Sequence, residues 1–144
     1  MQMIKAFNET IRYIESELDG EIDESRVAVL SSYSYAMFSR LFSILTNMTL
    51  SEYIRLRKLT KAAMEINETG AKIIDIAMRY GYESPDSFTN AFKSFHRVTP
   101  TEVRNGEAYR VVSPIQLTLS VKGGKHIPHT SWAARASRPG SAIS

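Results

Sequence analysis

"GYESPDSFTNAFKSFHRVTPTEVR", residues 81–104, holds a glycine turn and two helix starts within a short polar and aromatic stretch. Ser84-Pro85 places a hydroxyl at an N-cap and a proline at the first helical position, where its missing N–H has no intrahelical partner to lose. Thr99-Pro100-Thr101-Glu102 repeats both devices and adds the T-x-x-E spacing of a capping box. The stretch predicts a turn, a short helix, a second turn and another helix start. The fold depends on what surrounds this punctuation.

On the N-terminal side, Ile4, Phe7, Ile11, Ile14 and Leu18 recur at steps of three and four, which predicts an amphipathic helix stopping near Asp19-Gly20. Asp23 caps a short helix through about Ser31. Ser34 caps a third, with Phe38, Leu41, Phe42 and Leu45 inward and an end near Thr46-Asn47. Thr49-Leu50-Ser51-Glu52 opens a long helix to about Glu68, roughly 27 Å at 1.5 Å per residue. A fifth helix through Ile73, Ile74, Ile76 and Ala77 ends at Gly81. Beyond Glu107 the alternating "YRVVSPIQLTLSVKGG" predicts one or two strands around Pro114, ending at Gly123-Gly124. Residues 125–144, rich in Ser, Ala, Pro and Gly and without periodicity, are expected to be disordered.

The helical region repeats itself. Ala28-Val29-Leu30-Ser31-Ser32-Tyr33 lies over Ala77-Met78-Arg79-Tyr80-Gly81-Tyr82; after a one-residue insertion Phe38 and Phe42 lie over Phe88 and Phe92, and Thr49 over Thr99. Each copy has a small residue on its first helix, a tight turn four residues later, and a second helix with aromatics four apart. That is helix-turn-helix geometry. Any small helical bundle contains alanines, turns and aromatic pairs; two copies in register around one long helix favour the functional reading.

Charge is segregated. Glu9, Glu15, Glu17, Asp19, Glu21, Asp23 and Glu24 face only Lys5 and Arg12 in residues 1–24, whereas residues 26–61 carry Arg26, Arg40, Arg55, Arg57, Lys58 and Lys61 against Glu52 alone. The first segment should avoid polyanions and the second attract them. The chain of 144 residues has no cysteine, which removes thiolate catalysis, disulfides and zinc-thiolate sites. No apolar run has the length of a membrane span or signal peptide, so a cytoplasmic protein is expected. No glycine-rich phosphate loop occurs, and His126 and His129 have no neighbouring carboxylate, so neither catalytic nor metal residues are assigned and no cofactor is expected.

"FSRLF", "SEYIRLRKLTKAA", "IIDIAMRYGYESPDSFTNAFK" and "VTPTEVR" together resemble the AraC/XylS-type DNA-binding domain over residues of about 4 to 107. The resemblance implies an all-α domain of about seven helices, two helix-turn-helix subdomains joined by a long central helix. It implies a cytoplasmic bacterial regulator, usually an activator contacting RNA polymerase, that reads two successive major grooves of double-stranded DNA as a monomer. Grooves on one DNA face recur about every 34 Å, comparable with the length expected of the connecting helix. Residues 1–108 are taken as this domain, 109–124 as a linker and strand remnant, and 125–144 as the tail. Residues 109–124 resemble the linker and opening strand that lead, in some members, to a GyrI-like effector domain. Most of that domain is absent, and the last residues read as a truncated or frameshifted end.

On the first recognition helix Tyr35, Ala36, Ser39 and Arg40 occupy the outward positions and are assigned to base edges; Arg40 suits guanine O6/N7, with a phosphate contact as its other role. On the second, Pro85, Asp86, Ser87, Thr89 and Asn90 face outward. Asp86 either accepts from cytosine N4 or stabilises the helix N-terminus. The family often has arginine where this chain has Asn90, and asparagine suits adenine. Ser34, Ser84, Arg55, Lys58 and Lys93 are assigned to phosphates, the serines as caps whose following N–H groups meet the backbone. The competing reading is a helical protein-interaction module or an inactive truncated regulator.

Overall fold

The computed structural model describes residues 2–122, 125–131 and 134–137. Among them are seven helices: α1 (Gln2–Ser16), α2 (Glu24–Ser31), α3 (Tyr35–Thr46), α4 (Leu50–Glu68), α5 (Ile73–Arg79), α6 (Pro85–His96) and α7 (Pro100–Arg104). Four strands follow, β1 (Tyr109–Val112), β2 (Gln116–Lys122), β3 (Lys125–Ser131) and β4 (Ala134–Ser137). β1 pairs antiparallel with β4, Tyr109 opposite Ser137, and β2 with β3, Gln116 opposite Ser131. The chain divides into two compact units, Met1–Ile54 with Ser113–Trp132 and Arg55–Val112 with Ala133–Ser144.

In the first unit the three- and four-residue spacing of α1 delivers Phe7, Ile11 and Ile14 to a core shared with Val27, Phe38, Phe42, Leu50 and Tyr53. Phe7 lies 5.5 Å from Phe38 and 6.0 Å from Phe42, whose ring is 5.2 Å from Tyr53. Burying one such side chain contributes about 1.5–3 kcal/mol. In the second unit α4 buries Leu59, Ala62, Ala63 and Ile66, α5 buries Ile76 and Ala77, and α6 buries Phe88, Phe92 and Phe95.

The repeat is carried by matched backbone devices. Asp23, Ser34, Ser84 and Thr99 are N-caps, and Thr99 and Glu102 form a complete capping box. The turn after α2 is made by Ser32 at φ 67 and that after α5 by Gly81 at φ 91. Gly81 N–H reaches Met78 O and Tyr82 N–H reaches Ala77 O, the paired bonds of a Schellman end. Asn47 at φ 61 and Arg97 at φ 68 end α3 and α6 in the same left-handed conformation.

Two sequence expectations change. Residues 125–144 were expected to be disordered, yet Lys125–Ser131 and Ala134–Ser137 are paired strands. Composition undervalued them because an antiparallel partner satisfies strand backbone whatever the residues' own preference. Gly123-Gly124 and residues 138–144 lie outside the described residues.

Residues 109–117 also do more than link. Tyr109 and Val112 are buried in the second unit, and Ile115 and Leu117 in the first. Polar side chains of the helices hold this segment by its backbone. In the second unit Arg110 N–H donates to His96 Nδ1 at 3.0 Å and Val112 N–H to Thr60 Oγ1 at 3.1 Å, while Arg57 donates to Val112 O. In the first unit Ile115 N–H donates to the Tyr53 hydroxyl at 3.0 Å, and the Asn8 amide makes two bonds of 2.8 Å to the N–H and carbonyl of Leu117.

Candidate nucleic-acid interface

Phe38 and Phe42 lock one face of α3 into the first unit, which leaves Ala36, Met37 and Arg40 exposed and Tyr35 and Ser39 half-buried. Ser34 Oγ accepts the N–H of Met37 at 3.1 Å, so the N-cap expected of it is present. Burial raises the Tyr35 phenol above its usual range, nearby Glu24 adds to the rise, and a hydrogen bond with Ser39 opposes it. Tyr35 and Ser39 are thus tied to each other, and Arg40 is the side chain of this face with full reach into solvent.

Phe88 and Phe92 play the same part on α6, leaving Pro85, Asp86, Ser87, Asn90, Lys93 and Ser94 exposed and Thr89 half-buried. Ser84 Oγ accepts from Ser87 N–H at 3.1 Å, while the Ser87 hydroxyl donates back to Ser84 O at 2.9 Å. The Ser87 hydroxyl proton is therefore spent on Ser84 O, and its oxygen also accepts from Ser84 Oγ at 3.1 Å. Pro85 and Asp86 sit in the first turn, where proline fits the backbone and a carboxylate complements the dipole.

Behind α6, α5 is fixed to α4. Glu65 accepts from both Arg79 and the Tyr80 hydroxyl, and Tyr82 meets Phe88 edge-on at 5.3 Å. Tyr80 and Tyr82 are packing residues. The basic band of α4 is narrower than the sequence suggested. Arg57, grouped there with Arg55, Lys58 and Lys61, is 5% exposed and spends its guanidinium on Val112 O. Arg55, Lys58 and Lys61 are half-buried.

The assigned residues fall into two groups, the α3 set in the first unit and the α6 set with Arg55, Lys58 and Lys93 in the second. One cation was passed over. Arg97 is exposed and, with Asn90, Lys93 and Ser94, lines a shallow open hollow. Its signal in the sequence is positional, since it is the repeat's counterpart of Asn47. Among the described residues, no group of three or more His, Asp or Glu could hold a metal ion, and no helix is long and apolar enough to cross a membrane.

Comparison with known proteins agrees with this geometry. Residues 27–106 match the model of a helix-turn-helix domain family. The chain is 38% identical over 103 residues to the transposon Tn10 TetD protein of Escherichia coli, covering 72% of this chain and 75% of that protein. It is 36% identical over 101 residues to the regulatory protein SoxS of Escherichia coli K12, covering 70% of this chain and 94% of that one. A transcriptional regulator from Chromobacterium violaceum, described as having an AraC-type DNA-binding domain, superposes with a TM-score of 0.63 at 21% identity, over 69% of this chain and 89% of that chain. The last likeness is one of fold.

Proposed function

The chain belongs to the AraC-type helix-turn-helix family, and we propose that it binds a bipartite DNA site as a monomer, each unit reading one major-groove segment with its second helix. It is a sequence-specific DNA-binding regulator of transcription, of a family made of regulators rather than enzymes.

The observation that carries the finer reading is the duplicated design. α3 and α6 are both 12 residues long, each begins at a serine cap, and each buries phenylalanines four apart while its other face stays exposed. Capped N-termini point backbone N–H groups at phosphate, and outward side chains meet base edges. In this reading Tyr35, Ala36, Ser39 and Arg40 face one groove segment, and Pro85, Asp86, Ser87, Thr89 and Asn90 the other. Ser34, Ser84, Arg55, Lys58 and Lys93 meet phosphates. Arg40 donates to a guanine and Asn90 pairs with an adenine. The protein works in the bacterial cytoplasm, where DNA and RNA polymerase are both within reach, and activates by touching the polymerase. Residues 109–124 correspond to the linker and first strand of a GyrI-like effector domain, a reading supported by their alternating pattern and the positions of β1 and β2.

The test is selection of binding sites from random duplex DNA with the whole chain, followed by affinity for the winner and a scrambled control across a salt series. Two half-sites about one helical turn apart are expected, with log K falling linearly against log salt. Weak, salt-insensitive and sequence-blind binding would sink the proposal and return the chain to a protein-interaction role.

A further inference from the structure

Along α6 and its C-cap, Asp86, Asn90, Lys93 and Arg97 follow one another at steps of four, three and four, and all four are exposed. The matching stripe on α3, fifty residues earlier, is Ala36, Arg40, Ser43 and Asn47. The two stripes put their positive charge at different levels. On α3 the guanidinium stands at the second rank, among the base-reading positions; on α6 that rank is a neutral amide, the first is a carboxylate, and both cations lie beyond.

The last rank is the informative one. Asn47 and Arg97 hold the same left-handed backbone, φ 61 and φ 68. Asparagine adopts it readily and arginine seldom does, so the helix end alone does not account for an arginine there. A strained residue calls for a role at the surface it presents. Neither Lys93 nor Arg97 makes an ion pair among the described residues. Glu102, close enough for Lys93 to help lower its pKa, has a carboxylate oxygen engaged by Thr99 N–H at 2.8 Å.

We propose that Lys93 and Arg97 form a phosphate clamp at the C-terminal end of α6, with Arg97 as the residue that sets where this helix rests on a DNA strand. The clamp supplies the attraction for a polyanion that Asp86 and Asn90 cannot. The α6 end of the site is thereby held by charge while its base-facing positions carry no cation. This rests on the DNA-reading assignment above.

The test compares Arg97→Asn and Arg97→Lys in the whole chain, by thermal unfolding and by affinity for the selected site and a scrambled duplex across a salt series. Arg97→Asn should melt no lower than the parent. It should lose affinity for both duplexes alike, roughly fivefold at 0.15 M salt, with the salt slope shallower by about 0.9. Arg97→Lys should keep most of the slope, since it keeps the charge. Unchanged affinity and slope in Arg97→Asn would make Arg97 a solvated helix end and overturn the clamp, as would a loss confined to the selected site, which marks a base reader. Absence of salt-dependent DNA binding by the parent chain would instead overturn the DNA reading itself.

Discussion

His96 Nδ1 accepts the backbone N–H of Arg110 at 3.0 Å. The other ring nitrogen, Nε2, lies 2.9 Å from Leu59 O and must donate to it, so the neutral ring with its proton on Nε2 satisfies both neighbours. Phe92 and Phe95 lie against the ring at 4.3 and 4.7 Å. A second proton has no acceptor and would displace the Arg110 amide. Burial accordingly lowers the His96 pKa to about 4, the Leu59 bond opposes that shift, and the charge of Arg110 reinforces it.

The unfolded chain takes up this proton near pH 6.5 and the folded chain only near pH 4. The unfolded state therefore binds more protons between those values. Stability is fully present above about pH 6.5 and falls as pH drops toward 4, by up to about 3 kcal/mol from this group. Urea midpoints of the parent and His96→Gln from pH 7.5 to 4.5 should converge on acidification. Curves that stay parallel would remove His96 as the cause.

Arg40→Ala is expected to cost about 1–3 kcal/mol at the selected site and to relax preference at one base position, whereas Lys93→Ala should weaken all sequences alike. Competition binding against a panel of single-base variants separates the two. Identical profiles for both substitutions would show that Arg40 reads no base.

The two turn residues make opposite predictions. A Cβ on Gly81 meets nothing within 4 Å, yet its φ of +91 is one that L-residues rarely adopt. Gly81→Ala should therefore lose roughly 1–2 kcal/mol from backbone conformation alone. Ser32 at φ 67 already bears that strain, and Ser32→Gly should gain up to about 1 kcal/mol, the added freedom of the unfolded glycine offsetting part of the relief. Denaturant unfolding measures both, and a stabilised Gly81→Ala would contradict the account.

Ending the chain after Ala108 would leave Thr60, Arg57 and His96 in the second unit, and Tyr53 and Asn8 in the first, without the backbone groups they now bind. Each polar group left buried without its partner costs about 1–3 kcal/mol. Circular dichroism should show a large drop in melting temperature for that truncation and a much smaller one for a chain ending after Thr118. Equal melting of the two would mean that the segment is dispensable.

The helices were legible because each carries local chemistry. Ser34, Ser84 and Thr99 announce their starts by residue type, and Phe38, Phe42, Phe88 and Phe92 announce their buried faces by spacing. The partners of residues 109–117 were not legible. Arg57 reads as one more cation on a basic helix until Val112 is known to lie beside it, and the bond from Asn8 to Leu117 joins residues with no shared pattern. The strands of 125–137 were missed for a related reason, since strand pairing is a property of two segments and neither advertises it alone. Arg97 was overlooked because its conformation, not its composition, sets it apart.

The duplicated caps and turns also bear on how such a protein changes over generations. Each half owns a complete set of structural devices, Ser32, Ser34 and Asn47 in one and Gly81, Ser84 and Arg97 in the other, so neither borrows its helix ends from its twin. Under the proposed bipartite reading, outward positions in one half are free to drift while the other keeps its half-site. A lineage can then rewrite its target one word at a time, without passing through a form that recognises nothing.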